Sequence, residues 1–99
     1  MEKIKCSVAI QVLPQVEGAK VIGIVDRVID YIESFNLKMV VGPFETVVEG
    51  DLPELMELIE GCVRLCVSAG APHVLSYVKI HYSPDGIWSI GEKVNKHNG

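Results

Sequence analysis

The apolar residues of this chain follow strand spacing, then helix spacing, then strand spacing, and then the whole series runs a second time. No other feature narrows the fold as much. In IKCSVAIQVL (residues 4 to 13), Ile4, Cys6, Val8, Ile10 and Val12 point one way, and Lys5, Ser7, Ala9, Gln11 and Leu13 the other. That alternation is a strand with one buried face and one mixed face, and Pro14 ends it. Residues 19 to 35 change period. Val21, Ile22, Val25, Val28, Ile29 and Ile32 form a helical stripe, with Asp26, Arg27, Asp30 and Glu33 mostly opposite and Asn36 as the stop. Two short strands follow, residues 38 to 41 and 45 to 49. Gly42-Pro43 joins them so tightly that they must run antiparallel.

The second half repeats the order. Asp51 with Glu54 reads as a capping box, and Pro53 falls in the first turn, where a missing N–H costs nothing. The helix runs to about Ala69 and buries Leu55, Met56, Leu58, Ile59, Cys62, Val63 and Cys66; Gly70 stops it. Residues 73 to 82, HVLSYVKIHY, form the last long strand, and Ser83-Pro84-Asp85-Gly86 is a turn signal. Ser89 with Glu92 is a second capping box and marks a short helical turn.

The order β-α-β-β-α-β with right-handed crossovers predicts an α+β fold, a ferredoxin-like βαββαβ sandwich. Two helices cover one face of a four-stranded antiparallel sheet, and residues 1–99 form a single domain. The other face is expected to carry Ser7, Ala9, Gln11 and Leu13 beside Leu75, Tyr77, Lys79 and His81. It is too apolar for a plain solvent face and too polar for a core. It suits a subunit interface, a ligand floor, or both.

Composition excludes several functions. Apolar residues make up 48% and charged residues 22%, which is globular rather than disordered. The net charge of −4 disfavours a nucleic-acid partner, whose phosphates want a basic face. The apolar runs fall far short of a membrane span. We read no signal peptide in MEKIKCSVAI. Three cysteines, an odd number, fit a reduced, cytoplasmic setting. Cys62 and Cys66 lie on the apolar stripe and read as core, not as metal ligands. His73, His81 and His97 show no ligand spacing, although His81 could serve a site or an interface. No catalytic residue, metal site or cofactor is expected, because no phosphate loop, nucleophile elbow or C-x-x-C is present.

One stretch asks for more. GPFETVVEGD (residues 42 to 51) puts Glu45, Val47 and Glu49 on one face and Thr46 and Val48 on the other. Two readings fit. The glutamates sit on a solvated face, paired with Lys38 and Lys79, while Gly42 and Gly50 supply turns and Thr46 is a good strand residue. Alternatively, they form a polar site for a cation or amine, with Phe44 stacking on a flat ring.

The sequence resembles the YkoF-like group of small thiamine-binding proteins. The likeness is carried by AIQVLP (residues 9 to 14), VVGPFETVVEGD (40 to 51), VKIHY (78 to 82) and IGEKV (90 to 94). It implies a non-enzymatic protein that binds thiamine or its hydroxymethylpyrimidine part. It also implies dimers and tetramers, with a homotetramer favoured, built through sheet edges and faces. On this resemblance Gln11 is a hydrogen-bonding side chain on the floor and Thr46 lines or shapes the pocket. Glu49 balances the thiazolium charge or bonds the aminopyrimidine. Phe44 stacks on the ligand or narrows its pocket. The expected role is a cytoplasmic carrier, buffer or sensor. The rivals are a regulatory oligomerisation module without ligand and a small enzyme on the same fold. An acylphosphatase-like enzyme would want an arginine in a phosphate-cradling loop, whereas Arg27 and Arg64 both fall on helices.

Overall fold

The structure, a computed structural model, describes residues 4–98, with side chains described for residues 4–94. The expectations placed on Met1–Lys3 therefore lie outside the described residues, and the one placed on His97 lies outside the described side chains. The elements run β1 (Ile4–Pro14), α1 (Lys20–Glu33), β2 (Met39–Val41), β3 (Thr46–Gly50), α2 (Leu52–Ser68), β4 (Val74–Ile87) and α3 (Ile90–Asn98). The sheet order is β2-β3-β1-β4 and every pairing is antiparallel, which is the ferredoxin-like arrangement.

The alternation of β1 explains the core. Cys6, Val8 and Ile10 point toward the helices and are buried. They meet Ile24, Val28 and Ile32 of α1, Val48 of β3, and Leu55, Leu58, Cys62 and Cys66 of α2. The stripe of α1 is therefore rotated from the expected one. Ile24 is its first buried residue, while Ile22 lies outside. Met56 of α2 is likewise exposed. The two helices cross closely at Gly61, where any added Cβ would overlap the Tyr31 hydroxyl.

Burial explains the thiols as well. The Cys62 thiol is pushed up to about 12 by desolvation and then by its neighbour Cys66. Burial also raises Cys66, against a backbone hydrogen bond that lowers it. Such thiols stay protonated and behave as small hydrophobes. All three cysteines are free.

Three local expectations change. Asp51 has the extended conformation of a cap, but its side chain makes no capping hydrogen bond. Ser83–Gly86 does not end the last strand. Cys6 pairs with Tyr82 and Ile4 with Ile87, so the turn signal is absorbed as a bulge inside β4. There Ser83 Oγ accepts from the Asp85 amide at 3.2 Å, and Gly86 takes a φ of 106°.

The short turn expected after Ser89 is a nine-residue helix, and its capping box closes both ways. The Glu92 amide donates to Ser89 Oγ at 3.1 Å, and the Ser89 amide donates to Glu92 Oε1 at 3.2 Å. This third helix lies over one end of the face that the two-layer reading left open.

Candidate functional site

The face of the sheet away from α1 and α2 is built in rows across the strands. One row is His81, Ser7 and Glu49. The next is Lys79, Ala9, Val47 and Val40. The third pairs Tyr77 with Gln11, and Glu45 continues it one residue before β3 begins. The two ends of this face differ. At the first row α3 covers the sheet, and at the third the face is open.

The covered end holds Glu49, which is only 4% exposed. Its Oε2 accepts a hydrogen bond from the Ile90 amide at the start of α3. Helix N-termini carry free amides and partial positive charge, so a carboxylate is a good partner there. Its Oε1 is fully buried and has no partner among the described residues. Nearby, Lys93 Nζ lies 3.4 Å from His81 Nδ1.

The open end holds two clefts that share the corner Gly42–Glu45. One, of about 680 Å³, lies on the open face between Gln11, Val40, Phe44, Glu45, Val47, Tyr77 and Lys79. The other, of about 220 Å³, lies on the helix side, where Val25, Val28, Ile29 and Ile32 of α1 face Ile10, Val12, Val41 and Thr46. Gln11, Gly42, Pro43, Phe44 and Glu45 border both. The corner is held by the Gly42 amide donating to the Glu45 carbonyl at 2.9 Å. A Cβ on Gly42 would come within 3.0 Å of that carbonyl, so close approach is the reason for glycine here. Positive φ is not, either here or at Gly50.

The model of the family described as "Thiamine-binding protein" matches residues 8–98. The chain belongs to the thiamine-binding protein family. The UPF0045 protein CPE1503 of Clostridium perfringens is 42% identical over 92 residues, 93% of this chain and 96% of the relative. Among solved structures, a candidate thiamine biosynthesis/salvage protein from Thermotoga maritima (TM0486) is 35% identical. It superposes with a TM-score of 0.84 over 95% of this chain and 99% of its own. A Bacillus cereus domain of unknown function, DUF77, is 33% identical with a TM-score of 0.87, over 96% of this chain and 91% of its own.

The four residues expected at a ligand site separate. Gln11 and Phe44 border both clefts, and Thr46 lines the smaller one with its side chain largely buried. Phe44 is 78% exposed, so its ring stands at the rim and fills neither cleft. Glu49 borders neither cleft. Its carboxylate meets the start of α3, whose N-terminus supplies the positive end it faces.

Sequence reasoning placed Tyr77 and Lys79 on the open face but not at a ligand site; it named Lys79 only as a salt-bridge partner for the glutamates, and the structure pairs it with Glu45. Their distance in sequence from GPFETVVEGD hid the fact that β1 carries them alongside it. Glu45, not Glu49, is the carboxylate at the cleft. Among the described residues, no group of three or more His, Cys, Asp or Glu is placed to hold a metal ion. No described helix is long and apolar enough to cross a membrane.

Proposed function

We propose that this protein binds thiamine or its hydroxymethylpyrimidine moiety at the Gly42–Thr46 corner, without chemistry, as a carrier, buffer or sensor in the cytoplasm. The observation that carries the reading is the open-face cleft. It joins a carboxylate (Glu45), an amide side chain (Gln11) and two aromatic rings (Phe44, Tyr77) around an apolar floor. Thiamine has matching parts. Its thiazolium cation suits Glu45, its aminopyrimidine suits a hydrogen-bonding side chain, and its flat rings suit aromatic faces. We assign direct contacts to Gln11 and Phe44 in the open-face cleft and to Thr46 where the same corner opens into the helix-side cleft, and give Glu49 the role of anchoring α3. The family's description supports the ligand class, and the protonated, buried thiols suit a reducing compartment.

The same reading includes self-association. β4 is an edge strand of 14 residues, paired only with β1. Leu75 and Tyr77 on one face and Val78, Ile80 and Tyr82 on the other are all exposed. A long apolar edge of this kind is a template for another strand. A dimer or tetramer is the expected state, and sedimentation showing a monomer at micromolar concentration removes this part.

Calorimetry tests the binding. Titrating thiamine and then hydroxymethylpyrimidine should give micromolar or tighter affinity, about −8 kcal/mol or better. Thr46→Val and Gln11→Ala should each weaken it while the protein remains folded. No heat from either compound sinks the reading.

A further inference from the structure

The carboxylate at the cleft already has a cation beside it. Lys79 Nζ lies 3.2 Å from Glu45 Oε1. Glu45 immediately precedes β3 and Lys79 lies on β4, and β1 runs between those two strands. Lys79 is the register partner of Ala9. Only a methyl group stands at that position, so the lysine stem can cross β1 and reach the far side of the cleft. The lysine side chain is 77% exposed and that of Glu45 34%. The pair thus sits at the mouth of the cleft, where ion pairs are weak and long side chains swing freely.

We infer that Lys79 is a built-in competitor for the position beside Glu45 that an organic cation takes, and so determines how the cleft ranks charged against uncharged ligands. The inference rests on the thiamine reading of this cleft. A positively charged ring that approaches Glu45 meets like charge until Lys79 swings out to water. An uncharged ring that uses Gln11 and the aromatic rim leaves the ion pair in place. The lysine therefore penalises the cation selectively and leaves the neutral ligand alone. A pair this exposed sets a modest penalty, so the cation still binds, but less tightly than the bare carboxylate would allow.

The test is a set of four proteins and two ligands. Wild type, Lys79→Met, Glu45→Gln and the double variant are titrated with thiamine, which carries the fixed charge, and with uncharged hydroxymethylpyrimidine. Methionine keeps an unbranched stem over Ala9 and removes the charge. Lys79→Met should tighten thiamine by about fivefold, the upper range for an exposed ion pair. It should leave hydroxymethylpyrimidine within about twofold. Glu45→Gln should weaken thiamine, and in that background Lys79→Met should change nothing, because the competitor then has nothing to compete for.

Thermal midpoints of all four proteins guard against misfolding, and Lys79→Gln repeats the test with a second neutral side chain. Equal responses of both ligands to Lys79→Met overturn the inference and leave the thiamine reading standing. So does weaker thiamine binding in Lys79→Met, which would make the lysine a direct contact. Absence of heat with both ligands in all four proteins overturns the thiamine reading, and the inference falls with it.

Discussion

Glu45 and Glu49 lie on one face of the sheet, a single helical turn's worth of residues apart, and meet opposite environments. Glu45 stands at the hairpin end, partly exposed, bordering a cleft and paired with an exposed lysine. Glu49 stands at the other end, buried, with one oxygen on the α3 amide and the other without a partner among the described residues. The strand gives both side chains the same direction. What separates them is the covering layer. α3 closes one end of the face, and nothing among the described residues closes the other. A carboxylate beneath a helix N-terminus belongs to the architecture, whereas one at an open corner is available to a ligand.

The largest expected effect breaks the covered end. Glu49→Ala should destabilise the protein by about 2 kcal/mol, since it strips the carboxylate acceptor from the half-buried Ile90 amide. Trp88, the only tryptophan, lies two residues before α3 and should report the change in its emission. Glu49→Gln should cost less. Its amide oxygen can still accept from Ile90, and its amide nitrogen replaces the unpartnered oxygen. Equal losses in the two variants would mean that the α3 contact is not what Glu49 supplies. Ser89→Ala is next, at about 1 kcal/mol for a lost helix cap. It should loosen α3 and leave the hairpin end alone, which amide hydrogen exchange resolves segment by segment. The smallest stability change is at the open end. Glu45→Gln should cost well under about 1 kcal/mol, because it breaks only an exposed ion pair. A denaturation midpoint falling as far as that of Glu49→Ala would erase the distinction between the two ends.

Much of this was legible in the chain because periodicity is a local property. The alternation in residues 4 to 13 set Cys6, Val8 and Ile10 against Ser7, Ala9 and Gln11, and the structure buries the first set against the helices. Burial also followed the pattern at Cys62 and Cys66. The pattern was weaker where apolar residues are crowded. In VIGIVDRVID, two adjacent stripes compete, and the packing of α1 onto β1 selected Ile24 over Ile22.

Turn signals misled for a different reason. Ser-Pro-Asp-Gly prefers a turn, but pairing on both sides of it held β4 together and left only a bulge. The alternation of β4 was read correctly, yet Val78, Ile80 and Tyr82 are exposed although they share the face of the core. The helices cover β1 and the Val74 end of β4 and leave the rest of the edge strand exposed.

The sequence by itself determined the order of elements, the antiparallel sheet, the two core helices and which residues of each strand share a face. Each of these depends on neighbours a few positions apart, whose directions backbone geometry dictates. The sequence also offered Lys79 as a partner for the glutamates, and the structure pairs it with Glu45. Tertiary structure alone decided that Glu49 is sealed beneath α3 and that Tyr77 joins Phe44 and Gln11 around one cleft. These depend on which segments lie on top of or beside one another. Coverage and reach are distances through space between residues dozens of positions apart, and the spacing of apolar residues carries no record of them.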